Sequence, residues 1–131
     1  VCTAIYDETE WRNPNVVKVL ADKARLALYF TRAAIPFGRN DRIDPSGNKI
    51  AGRQRLWGYR HLGLYVFRRE FLLKFARLRP TALEQIESLE QLRALENGYR
   101  IYVAQVDERS VEVDTPADLL RAESYLKRRS N

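Results

Sequence analysis

Thr81-Ala82-Leu83-Glu84-Gln85-Ile86-Glu87-Ser88-Leu89-Glu90-Gln91-Leu92-Arg93-Ala94-Leu95-Glu96-Asn97-Gly98 is the stretch from which the chain is best read. Thr81 and Glu84 form a T-x-x-E capping box, in which each side chain satisfies one orphan backbone donor of a helix start. Leu83, Ile86, Leu89, Leu92 and Leu95 recur at near-helical spacing and make one apolar stripe. Gly98 then takes the positive φ that ends a helix without a Cβ clash. The spacing predicts a single helix over 81–97. Beyond it, residues 100–106 alternate like a strand and 111–113 form a short apolar run. Thr115-Pro116-Ala117-Asp118 opens a second helix, with Pro where no N–H is needed, running to about Lys127.

Toward the N-terminus the pattern changes. Residues 1–6 read as a short strand, Asn13-Pro14-Asn15 as a turn and 16–20 as a β-branched strand. Asp22-Lys23-Ala24-Arg25 is a turn, and 26–30 a second strand, so the two strands predict a hairpin. Residues 38–58 make a long arm rich in Gly, Asn, Asp and Arg, with Pro45-Ser46-Gly47-Asn48 as a turn. A strand is expected over 60–67 and a short amphipathic helix over 70–75, stopped before Pro80. Antiparallel strands first, then strand–helix–strand–helix, indicate an α/β fold.

The 131 residues suit one domain, and 45% hydrophobic with 31% charged residues is a globular balance. No apolar run approaches the ~20 residues of a membrane span. The single Cys2 cannot form an internal disulfide, and no charged-then-apolar leader opens the chain, so a reducing, cytoplasmic location is expected. Met is absent, and the chain is expected to be processed or cut from something longer. A net charge of +6 favours anionic partners such as phosphorylated ligands, acidic sugars or nucleic acid, but the basic residues are scattered among acidic ones. Arg55, Trp57, Tyr59 and Arg60 interleave charge and aromatic rings without forming a known nucleic-acid module.

Four groups of residues suit chemistry. His61, the one histidine, shares a strand face with Gly63 and Tyr65, leaving a gap for a ligand; a packed core histidine suits the same pattern. Glu87 and Gln91 lie one helical turn apart with Glu90 beside them, and a solvated acidic face is the alternative. Asp114 stands between an apolar run and a helix start, where carboxylates hold Mg²⁺ beside substrate phosphates or merely favour the helix dipole. Arg32 follows a strand and suits bidentate binding of a carboxylate, or an ordinary surface role. There is no P-loop, no dinucleotide-type glycine loop and no nucleophile elbow.

Together these segments fall into one order. Residues 13–19 (Asn-Pro-Asn-Val-Val-Lys-Val), 27–36 (Ala-Leu-Tyr-Phe-Thr-Arg-Ala-Ala-Ile-Pro) and 60–65 (Arg-His-Leu-Gly-Leu-Tyr) are followed by 83–93, 98–101 and 113–119. The set resembles the C-terminal half of the 3-deoxy-manno-octulosonate cytidylyltransferases (CMP-KDO synthetases), over nearly the whole chain. The resemblance implies a single domain over 1–131, the sugar-binding and dimerisation half of a nucleotide-diphospho-sugar-transferase-like, Rossmann-like sheet. The N-terminal half of such enzymes, with its nucleotide loop and first metal aspartate, is expected to be missing from this chain. It further implies a Mg²⁺-dependent nucleotidyltransferase acting on CTP and 3-deoxy-manno-octulosonate in lipopolysaccharide synthesis, working as a homodimer. Arg32, His61, Tyr65, Glu90 and Gln91 would line the sugar pocket, Arg32 facing the carboxylate, and Asp114 would hold Mg²⁺. Residues 107–112 lack the Pro-Gly that members often place before V-D-T-P. Alone, the chain is expected to be inactive and to leave a sheet edge exposed. Other readings are a stand-alone acidic-sugar-binding or dimerisation module derived from that enzyme, a nucleic-acid binder, and a CMP-sialic acid synthetase, which the 60–65 and 89–93 segments disfavour.

Overall fold

The computed structural model describes residues 1–39, 44–48, 54–107, 119–120, 122–124 and 127. Its sheet has four strands: β1 (Cys2–Ile5), β2 (Lys18–Ala21), β3 (Ala27–Thr31) and β4 (Gly58–His61). Their order is β1-β4-β2-β3, and each neighbouring pair is antiparallel. The predicted hairpin is β2–β3. Its turn closes because the Asp22 carboxylate accepts from the Leu26 amide at 2.8 Å while Arg25 takes a φ of 59°. The turn at 45–48 also forms, with Gly47 at φ 85°.

One helix escaped the sequence reading. α1 (Glu8–Arg12) is capped by Asp7, whose carboxylate accepts from the Thr9 amide, and Glu8 and Glu10 complement its positive end. It buries Trp11, whose indole donates to the Ile35 carbonyl at 2.7 Å. Asp7 followed by Glu10 was the signal available. α2 (Arg69–Phe75) matches the expected short helix.

The predicted 81–97 helix is instead two helices, α3 (Ala82–Glu87) and α4 (Gln91–Glu96). They are separated at Ser88, which stands in the left-handed region at φ 53°. A straight helix would set all five stripe residues on one line. Here Leu89 and Leu92 enter the core, 6% and 0% exposed, while Ile86 is 78% exposed. The two helices stay clamped. The Glu96 carboxylate accepts from the amides of Leu83 and Glu84, and Arg93 pairs with Glu84.

Two strand expectations are also corrected. Ladder pairing of the 60–67 stretch ends at His61, because Leu64 donates back to the Leu62 carbonyl and turns the chain away. The 100–106 stretch makes only isolated bridges, Leu26 with Tyr102 (antiparallel) and Cys2 with Gln105 (parallel). Those bridges tie it to both outer strands of the sheet. Cys2 donates to Ala104 and accepts from Val106, while Ala27 donates to Ile101. The described residues of the last predicted helix, 119, 120, 122–124 and 127, are helical. The 111–113 run and the Thr115 helix start lie outside the described residues. Cys2, Val19, Phe30, Leu89, Leu92 and Val103 form the core between sheet, α4 and the 100–106 segment.

Candidate functional site

A cavity of about 920 Å³ opens where β4 ends, walled by the 64–68 segment, α2, the start of α4 and residues 100–104. His61, Tyr65, Glu90 and Gln91 all line it. Four of the five predicted sugar-pocket residues, spread over 31 positions of sequence, are thus brought to one cavity.

His61 sits at the last register position of β4, opposite Cys2. Its ring stands edge-on to Phe30, 5.1 Å between centroids, and its Nε2 shares a hydrogen bond with the Tyr65 hydroxyl at 2.7 Å. Burial disfavours the imidazolium and lowers the pKa from 6.5 to about 4. Burial, and then the charge of Glu90, push the Tyr65 phenol upward. At neutral pH the pair is an uncharged imidazole beside a protonated phenol. It suits orienting a hydroxyl-rich ligand through neutral hydrogen bonds.

Glu90 and Gln91 enter at the start of α4, immediately after the Ser88 break. The Glu90 side chain is 69% exposed and reaches Arg93 at 3.5 Å. In contrast, the Gln91 Nε2 is buried and meets no acceptor among the described residues. Leaving such a donor unpaired costs ~1–3 kcal/mol.

Aromatic rings floor the cavity. Tyr65 stacks on Phe67 at 5.7 Å, Phe67 on Phe71 at 6.0 Å, and Phe71 meets Tyr99 edge-on at 4.9 Å. The Arg93 guanidinium lies 5.0 Å above Phe75. Sequence reasoning missed this ladder, although Phe67, Phe71 and Phe75 recur every four residues. It also missed Arg68 and Arg100, which line the cavity.

Arg32 is not among the lining residues. Its guanidinium donates to the carbonyls of Glu87 at 2.8 Å, Pro14 at 3.2 Å and Ser88 at 3.5 Å. Its amide donates to the Glu87 carboxylate at 2.9 Å, which also accepts from the Thr31 hydroxyl. Glu87 therefore faces β3 and the Arg32 backbone. Asp114 lies outside the described residues. Among the described residues no three His, Cys, Asp or Glu side chains come together as a metal site.

A mixed α/β unit with a cavity at a strand end, lined by polar and aromatic side chains, is a place for a small polar ligand, and comparison with known proteins gives its class. The chain belongs to the cytidylyltransferase family, whose sequence profile matches residues 2–101. It is 50% identical over 125 residues to the 3-deoxy-manno-octulosonate cytidylyltransferase of Syntrophotalea carbinolica, covering 95% of this chain and 49% of that protein. The protein of the same description from Acaryochloris marina is 41% identical over 126 residues, covering 96% of this chain and 46% of that one. Among solved structures, CMP:2-keto-3-deoxy-manno-octonic acid synthetase complexed with CTP superposes with a TM-score of 0.79 at 34% identity, covering 98% of this chain and 48% of that one. The chain spans about half the length of the curated relatives it matches.

Proposed function

We propose that this chain supplies the acceptor-sugar wall of a cytidylyltransferase that transfers CMP from CTP to 3-deoxy-manno-octulosonate and releases pyrophosphate, for lipopolysaccharide synthesis. The observation that carries the reading is the convergence of His61, Tyr65, Glu90 and Gln91 on one cavity in a chain of this family. The names of the relatives and of the CTP-bound neighbour support the substrate pair.

Each residue then has a physical task. Neutral His61 and protonated Tyr65 exchange hydrogen bonds with sugar hydroxyls. Glu90 accepts from a hydroxyl, and the unpaired Gln91 amide donates to a sugar oxygen. Holding the acceptor in one pose converts a bimolecular attack into an oriented one. In that attack the sugar's anomeric oxygen forms the new bond to the α-phosphorus, and the bond to the pyrophosphate leaving group breaks. The nucleotide is carried by the remainder of the enzyme, so the chain alone does not turn over.

Mg²⁺, held in part by Asp114, belongs to this reading through the resemblance. The described residues do not by themselves form its site, and the tasks above involve the sugar alone. A homodimer in the cytoplasm completes the proposal. None of the described helices is long and apolar enough to cross a membrane.

The test is pyrophosphate release by the full-length protein with CTP and the sugar acid, comparing wild type with Gln91→Leu. Loss of the amide donor is expected to raise KM for the sugar about tenfold, the worth of one buried hydrogen bond. An unchanged KM for the sugar rejects the assignment of the cavity. Absence of turnover in the wild type rejects the activity.

A further inference from the structure

Lys18, at the start of β2, has no exposed surface at all. Its Nζ donates to three backbone carbonyls, those of Asn13 at 2.9 Å, Arg32 at 2.7 Å and Val16. None of these acceptors is a carboxylate. Burying a charge is costly even when it is hydrogen-bonded. Burial first, then the charge of Arg32, press its pKa below the usual lysine value, with Glu87 opposing them. The ammonium is therefore explained by what it holds rather than by the space it fills.

What it holds is the 13–16 turn and the backbone at residue 32. Residue 32 is also where β3 meets the α3–α4 junction. On one side of this short segment, Lys18 grips the Arg32 carbonyl. On the other, the Arg32 amide and the Thr31 hydroxyl both donate to the Glu87 carboxylate, and the Arg32 guanidinium reaches the Glu87 and Ser88 carbonyls. Ser88 is the left-handed residue that ends α3, and Glu90 and Gln91 follow it into the cavity.

We infer that Lys18 is a positioning residue for the acceptor site. Through the Arg32 carbonyl it holds the Thr31–Arg32 backbone against Glu87, and so fixes the junction that delivers Glu90 and Gln91 to the cavity. The inference rests on the cavity being the sugar site, and its test separates the two.

Lys18→Met and Thr31→Val are made in the full-length protein beside Gln91→Leu. KM is measured separately for the sugar acid and for CTP, and folding is checked by thermal unfolding. Lys18→Met removes the ammonium at similar volume, and Thr31→Val removes the hydroxyl that donates to Glu87 and accepts from the Ala33 amide. Both are expected to raise KM for the sugar about tenfold while KM for CTP moves by less than about twofold. A purely structural role lowers the melting temperature and leaves that split absent. Folded variants with unchanged KM for the sugar, or with both KM values raised alike, overturn the positioning role if Gln91→Leu still raises KM for the sugar. A silent Gln91→Leu overturns the sugar-site reading and this inference with it. Should Lys18→Met fail to fold, Thr31→Val decides alone by the same criteria.

Discussion

Lowering the pH should destabilise this protein through His61 well before its carboxylates titrate. The folded imidazole has a pKa of about 4 against an ordinary 6.5, because burial disfavours its charged form. Between those values the unfolded chain binds a proton that the folded chain refuses, so stability falls as pH falls through the window and levels off below it. From about pH 7 to about pH 5 the loss from this one group is ~2 kcal/mol, since each tenfold difference in proton affinity between the two states is worth about 1.36 kcal/mol. The assay is the urea midpoint of wild type and His61→Gln at both pH values. Carboxylates contribute equally to each protein, so the difference of differences isolates the imidazole. Wild type should lose ~2 kcal/mol more than the variant over this range. A proton NMR titration of the ring should place its midpoint near 4. Equal losses in the two proteins, or a midpoint near 6.5, would refute the reasoning.

Two further substitutions test the frame that carries the site. Arg93→Met should cost about 3 kcal/mol in chemical denaturation, because it removes the cation that pairs α4 with the Glu84 carboxylate of α3, whose side chain is only 12% exposed and keeps only the Thr81 amide. The Arg93 hydrogen bonds also hold the Glu84 pKa below the usual carboxylate range, so this stabilisation is present at neutral pH and is lost as pH falls through the depressed value. In Arg93→Met that acid-side loss should shrink. Gly58→Ala should cost ~1–3 kcal/mol by the same measurement, since a Cβ there would lie 2.9 Å from the Ile35 carbonyl and 3.2 Å from the Trp11 ring. A denaturation midpoint unchanged from wild type would show that α1 is free to move.

Local chemistry made much of this legible in sequence. The β2–β3 hairpin follows from two β-branched or aromatic runs across a polar turn, and the capped start at Thr81 from a T-x-x-E pattern. The 45–48 turn follows from its Pro and Gly. The order of short segments through the chain carried the family, and with it His61, Tyr65, Glu90 and Gln91 as members of one site. Local side-chain direction did not carry them, since Tyr65 lies beyond the end of β4 and Ser88 breaks the helical turn between Glu87 and Gln91.

Long-range contacts decided the rest. Leucine spacing predicts a straight 81–97 helix, but the carbonyls of Glu87 and Ser88 are claimed by Arg32, just after β3, and Leu89 and Leu92 turn into the core. Burial of those two leucines outweighs the uninterrupted helix that propensity alone favours. For the same reason Arg32 is occupied by backbone carbonyls 55 and 56 positions away, a role that no local pattern announces. The depressed pKa of His61 likewise comes from burial by residues remote in sequence. Residue types and their spacing determined which groups could serve a site, and tertiary packing decided which of them reach it, because solvation and hydrogen-bond partners depend on three-dimensional neighbours.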